Sequence, residues 1–261
     1  MKPQLSCLFV LSTLFAAPLH AAEAALPIRV ILVGDSTMAT RSGYGDALCA
    51  RFTPDTSCVN LARGGRSSGS FRAEGRWDEV QQLLRDSAGY RASYVLVQFG
   101  HNDQPGKPGR STDLVTDFPV NMARYASEVK QLGGVPVLVT PLTRRSFKGA
   151  YLKDDLAPWS AATRKVAHEH KVALLDLNAL SADEVHRMGE QEADTLAMAP
   201  PPPAAAAPAA GAAAGAAAEP QGTPKSAFDR THVGAKGADL FSGMVAREMT
   251  RLIPAVAASL K

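Results

Sequence analysis

Five short apolar runs recur along the chain: Ile28–Val33, Cys58–Leu61, Tyr94–Phe99, Val135–Thr140 and Val172–Leu175. Each is rich in β-branched residues or bounded by turn signals, and none alternates apolar with polar. That pattern predicts strands buried on both faces, as in a parallel sheet. Arg29 is the only polar break in the first run. The segments between the runs change to helical spacing. Trp77, Val80, Leu83 and Leu84 fall on one helix face, and Met122, Tyr125, Val129 and Leu132 on another, which Gly133-Gly134 caps. Trp159 to His170 predicts a third helix, and Leu240, Met244, Val245 and Met249 form the apolar face of the last. Strands alternating with helices predict an α/β fold with right-handed crossovers and helices on both faces of the sheet.

Residues from about 198 to 224 break this rhythm. The run PPPAAAAPAAGAAAGAAAEP has almost no charge and no large apolar side chain, so it cannot build a core. It predicts a disordered insert, and lengthening a loop costs little because closure entropy grows only logarithmically.

The 261 residues suffice for one domain with a full core. Lys2 followed by the apolar stretch Leu8–Ala17 predicts a secretory signal over residues 1–21, cut after Leu19-His20-Ala21 or, alternatively, after Ala24. The apolar stretch is too short to span a bilayer. The expectation is a secreted or periplasmic protein, free of the membrane once the signal is removed, with a single domain over 26–261. Cys49 and Cys58 then remain, and an exported protein is expected to pair them; two buried free thiols are the alternative. Net charge is +3, too mild to imply nucleic acid. Arginines gather near two strand ends, Arg63, Arg66, Arg72 and Arg76, then Arg144 and Arg145 with Lys148. Acidic neighbours dilute the first group. The second lies on the rim where substrate is expected, which suits an anionic polysaccharide.

The chemistry begins where the first run ends. Gly34-Asp35-Ser36 turns the chain just past the strand's C-terminal end, the place where ligands bind in open α/β sheets, and Ser36 is a candidate nucleophile. Gly64-Gly65-Arg66-Ser67 follows the second run, Gly100-His101-Asn102-Asp103 the third, and Asp229-Arg230-Thr231-His232 lies near the C-terminus. No histidine or cysteine cluster suggests a metal, and no glycine-rich phosphate loop suggests a nucleotide cofactor.

Together these four blocks resemble the SGNH (GDSL-like) hydrolases. The stretches QFGHND, DRTH and NLARGGRS look most like the rhamnogalacturonan acetylesterase branch. The resemblance runs from about Arg29 to Leu252, apart from the insert. It implies a flavodoxin-like three-layer α/β/α sandwich on a five-stranded parallel sheet. It also implies Ser36 as nucleophile, His232 as base and Asp229 as the residue that fixes the base's tautomer. The oxyanion donors it implies are the backbone N–H groups of Ser36 and Gly65 and the side-chain amide of Asn102. Arg66, Arg144 and Arg145 are expected to bind substrate. The implied activity is cofactor-free removal of O-acetyl groups from a plant polysaccharide, most of all acetylated rhamnogalacturonan, by a monomeric enzyme. Alternatives are an acetylxylan esterase, a lipase or a thioesterase of the same superfamily, or a carbohydrate-binding module without catalysis. Gly65-Arg66-Ser67-Ser68-Gly69 also matches the Gly-x-Ser-x-Gly elbow of α/β-hydrolases, which would make Ser67 the nucleophile.

Overall fold

The computed structural model describes residues 26–201 and 228–261. The expected signal segment and most of the expected insert, residues 202–224, lie outside them. Five parallel strands form the central sheet: β1 (Ile28–Gly34), β2 (Ser57–Asn60), β3 (Ala92–Gln98), β4 (Val135–Val139) and β7 (Ala173–Leu175), in the order β2-β1-β3-β4-β7. All five predicted strands are present. They read as continuous apolar runs because successive side chains enter opposite cores, and both cores are apolar.

Ile28, Val30 and Leu32 of β1 meet Tyr94, Leu96, Val137 and Leu175 on one face. There they pack with Leu48 of α1 (Gly45–Cys49), Val185 of α6 (Leu177–Asp194), and Phe241, Val245 and Met249 of α7 (Ala235–Leu252). Ile31, Val33, Val95, Val97 and Leu138 face the other way. That second core holds Trp77 and Val80 of α3 (Arg76–Arg85), Met122, Tyr125 and Val129 of α4 (Asp117–Gln131), and Val166 of α5 (Ala157–Glu169). This is the α/β/α sandwich. Arg29 belongs to the second face but sits at its edge. Its guanidinium donates to the carbonyls of Leu83 and Asp86 at the end of α3 and stacks 3.8 Å over Tyr90, so the one polar residue of β1 is used as a helix C-cap.

The chain leaves β1 toward β2 on one side and returns to β3 on the other. The crevice at the C-terminal ends of β1 and β3 is therefore the topological switch point. The turns after β1, β2 and β3 all open there. The expected disulfide is present between Cys49 and Cys58, joining the end of α1 to β2 with Cα atoms 5.3 Å apart.

Three features have no counterpart in the sequence patterns. The short helix α2 (Ser70–Ala73) follows the second motif, and a two-stranded hairpin, β5 (Phe147–Lys148) and β6 (Tyr151–Leu152), follows β4. Gly189 breaks α6 with a left-handed φ of 72°. The chain on the two sides of residues 202–227 is joined by Gly234, whose N–H donates to the Leu196 carbonyl at 2.9 Å. Among the described residues no helix is long and apolar enough to cross a membrane.

Candidate active site

Ser36 stands half-buried one residue past Asp35, in a turn that the chain builds for itself. Met38 and Ala39 donate their N–H groups back to the Asp35 carbonyl, at 3.2 and 3.0 Å. The Asp35 carboxylate accepts from the Thr37 N–H and hydroxyl, at 2.9 and 2.8 Å. Beneath it the Gln98 amide donates to the Thr37 hydroxyl at 2.7 Å and accepts from the Tyr44 hydroxyl at 2.8 Å. The turn closes tightly. A Cβ on Gly43 would lie 2.2 Å from the Thr37 backbone, so only glycine fits there.

Asp229 and His232 share one turn near the C-terminus. One oxygen of Asp229 accepts from the N–H groups of Thr231 and His232, both at 2.7 Å, and the other lies 3.0 Å from Nδ1 of His232. Burial pushes the Asp229 carboxyl up. The His232 ring and the two backbone donors outweigh that and bring it down to about 2, so it is a carboxylate at any ordinary pH. Nε2 of His232 lies 2.8 Å from Oγ of Ser36. A second strut holds the two turns together: Ser42 donates its hydroxyl to the Ser36 carbonyl at 2.8 Å, and its own carbonyl accepts from Val233 N–H at 3.0 Å.

Two further loops complete the rim. Gly65 has φ 77°, a left-handed conformation that favours glycine. Among the described residues, neither the Ser36 N–H nor the Gly65 N–H has a protein acceptor. The Asn102 side-chain amide donates one hydrogen to the Arg66 carbonyl at 3.0 Å and keeps a second. Asp103, fully buried, laces the two loops together. It accepts from the Ser68 N–H at 3.0 Å, the Ser68 hydroxyl at 2.6 Å and the Thr112 hydroxyl at 2.9 Å. Burial pushes its carboxyl up to about 6 despite those donors.

Asp35 and His101 form a pair that sequence patterns did not reveal. Oδ2 of Asp35 lies 3.3 Å from Nδ1 of His101, and both side chains are sealed from water. Burial raises the Asp35 carboxyl, but His101 and the Thr37 donors more than reverse this. Burial pushes the imidazole down, against the pull of Asp35. The pair ties the Asn102 loop to the Ser36 turn. The signal available was an aspartate and a histidine, each one residue before a proposed functional group, but nothing in their spacing says that they meet.

The structure corrects the expectation for Arg145. Its side chain is 0% exposed and cannot reach substrate. Its guanidinium donates instead to the carbonyls of Asp229 and His232, at 2.9 and 2.7 Å. Arg144 is engaged by Asp155 at 2.6 Å, and Arg66 by Glu74 at 2.9 Å and by the Gly64 carbonyl at 2.8 Å. The elbow reading also fails on geometry. Ser67 is buried, and its hydroxyl accepts from Ser70 N–H at 3.1 Å at the start of α2, while the histidine faces Ser36. Among the described residues no group of three or more His, Cys, Asp or Glu could hold a metal ion.

A hydroxyl on an imidazole, an imidazole on a carboxylate, and unpaired donors on the same crevice are the parts of an acyl-transfer site. The chain matches the GDSL-like Lipase/Acylhydrolase family over residues 32–240. It is 29% identical over 234 residues to the rhamnogalacturonan acetylesterase RhgT of Bacillus subtilis (strain 168), across 87% of this chain and 91% of the relative. It is also 29% identical over 176 residues to the probable rhamnogalacturonan acetylesterase YesY of the same organism, across 65% of this chain and 79% of the relative. A catalytic mutant of Axe2, an acetylxylan esterase from Geobacillus stearothermophilus, shares the fold with TM-score 0.58 and 16% identity, over 85% of this chain and 93% of that one.

Proposed function

Since the chain belongs to the GDSL-like lipase/acylhydrolase family and is a carboxylic ester hydrolase of the SGNH type, we propose that it removes O-acetyl groups from acetylated rhamnogalacturonan. The observation that carries the chemistry is the 2.8 Å contact between His232 Nε2 and Ser36 Oγ. The polysaccharide is supported by the relatives named for it and by the stretches QFGHND and DRTH.

In this reading Ser36 Oγ attacks the acetyl carbonyl carbon while His232 Nε2 takes the hydroxyl proton. The carbonyl electron pair moves to oxygen, and the Ser36 N–H, Gly65 N–H and Asn102 amide receive that charge. Each such donor is typically worth about 10²–10³ in turnover. Asp229 holds the ring so that Nε2 faces the serine and stabilises the imidazolium. The intermediate collapses with loss of the sugar oxygen, which takes the proton from His232. Water, deprotonated by His232, then attacks the acetyl-Ser36 carbonyl; the C–Oγ bond breaks, Ser36 Oγ takes the proton back from His232, and acetate leaves.

Export fits the same reading. The charged and then apolar N-terminus and the Cys49–Cys58 bridge both suit an oxidising compartment, where plant polymer is met. The test is acetate release by wild type and Ser36→Ala from acetylated rhamnogalacturonan, acetylated xylan and a small acetyl ester. Fastest release from rhamnogalacturonan, abolished by Ser36→Ala, supports the proposal. Faster release from xylan reassigns the substrate, and wild-type levels in Ser36→Ala remove the mechanism.

A further inference from the structure

The three arginines expected to bind substrate are all engaged within the protein, yet Arg110 is not. It lies on the loop that follows the Asn102 motif. This loop is held in place: Arg110 and Ser111 donate their N–H groups to the Lys107 carbonyl at 3.0 and 2.9 Å, and Thr112 donates its N–H to the Asp103 carbonyl at 3.0 Å. The side chain turns back over the crevice. Nη1 lies 3.6 Å from the position that a Cβ on Gly65 would occupy, beside one of the proposed oxyanion donors. Among the described residues, the guanidinium has no ion pair and no hydrogen bond, and its Nε is shielded from water without a partner.

That arrangement is costly unless an acceptor arrives. Arginine has five donors and is charged at every relevant pH. Shielding one of them without an acceptor forfeits its hydration. A carboxylate is the acceptor whose geometry matches the guanidinium fork. We infer that Arg110 is a specificity-determining residue that binds the carboxylate of a uronic acid unit of the acetylated polymer. The inference rests on the reading of the site as a polysaccharide acetylesterase and assigns the recognition of its acidic units to one side chain. Lys107, on the same loop, is bound to the His101 carbonyl through its ammonium group and serves the loop rather than the ligand.

The test compares Arg110→Gln and Arg110→Lys with wild type on three substrates: acetylated rhamnogalacturonan, the same polymer with its carboxyls reduced to primary alcohols, and a small neutral acetyl ester. Loss of a charged hydrogen-bond partner predicts a roughly 10- to 100-fold fall in kcat/KM on the acidic polymer for Arg110→Gln. The fall is expected in KM more than in kcat. Arg110→Lys recovers part of it, and the reduced polymer and the small ester change less than about threefold. Thermal melting is unchanged, because the side chain holds nothing in place. An equal fall on all three substrates would place Arg110 at the developing oxyanion instead and overturn the inference. Undiminished activity on the acidic polymer overturns it while leaving the acetylesterase reading intact. Wild type that cleaves the small ester but frees no acetate from the acidic polymer overturns both the inference and the assignment of rhamnogalacturonan as substrate.

Discussion

Arg145 donates its guanidinium to the main-chain carbonyl of His232 at 2.7 Å, from a side chain that is 0% exposed. The same nitrogen donates to the Asp229 carbonyl at 2.9 Å. The turn that presents the base and its orienting carboxylate is therefore held from below by a cation. Burial brings that cation's pKa down to about 10, and it remains charged. Arg145→Met keeps much of the volume and leaves both carbonyls without this donor. Each buried group so orphaned costs about 1–3 kcal/mol. The expected result is a lower melting temperature and a kcat at least roughly tenfold lower on every ester, with KM within about twofold. A variant with raised KM on the polymer and an unchanged melting temperature would return Arg145 to the substrate.

Ser36 and Ser67 separate cleanly in the same assay. Ser36→Ala is expected to lower acetate release by roughly 10⁴ or more, with the fold intact. Ser67→Ala removes the hydroxyl that accepts from Ser70 N–H and so is expected to cost about 1 kcal/mol of stability, as for a lost helix cap, with activity retained. Melting curves with acetate release distinguish the two, and a Ser67→Ala enzyme that is folded and inactive would revive the elbow.

Much of this architecture was legible because burial on both faces leaves an unbroken apolar run, and the residue after each run then marks the crevice. Ser36 was accessible to that reasoning; the blocks that hold Gly65 and Asn102 follow the next two strands, but the resemblance to the SGNH hydrolases is what singled out these two residues as donors. The supporting partners were not legible. Nothing local in Asp103 says that it will accept from Ser68, 35 residues earlier, and nothing in His101 says that Asp35 waits 3.3 Å away. Arg144 and Arg145 are neighbours of the same type, yet one pairs with Asp155 in a half-buried bridge and the other is drawn under the catalytic turn. A two-residue strand such as Phe147–Lys148 is too short to carry a period. Arg110, in the glycine- and proline-rich stretch before Thr112, reads as ordinary loop until the fold brings it over Gly65.

The disulfide lies at the other end of the molecule's working parts. Cys49 closes α1 and Cys58 sits early in β2, whereas the site opens at the strands' C-terminal ends. The two are 9 positions apart, so the closed loop is small. Loop-closure entropy for such a loop predicts roughly 2–3 kcal/mol of stabilisation, or roughly 5–10 °C in melting temperature for a chain of this size. Cys49→Ser with Cys58→Ser is expected to melt earlier by that margin and to keep its kcat on a small ester. Loss of kcat at a temperature where the variant is folded would mean that the bridge also shapes the crevice.

Asp103 makes stability depend on pH with an unusual sign for a carboxyl. Its pKa of about 6 stands above the value near 3.9 expected in the unfolded chain, since burial outweighs the donors from Ser68 and Thr112. Between those two values the folded protein holds a proton that the unfolded chain has lost. The contribution is thus fully present below about pH 4 and is lost as pH rises through 6, with a total on the order of 3 kcal/mol. Asp103→Asn cannot ionise, and its carbonyl oxygen can still accept from Ser68. The difference in unfolding free energy, wild type minus Asp103→Asn, should therefore fall as pH goes from 4.5 to 7 and then level off. Denaturant titrations of both proteins at four or five pH values measure this directly. A difference that is flat with pH would mean that Ser68 and Thr112 hold the carboxylate ionised. A difference that rises with pH would reverse the sign of the argument and make the loop joining Gly65 to Asn102 stronger as the enzyme becomes more basic.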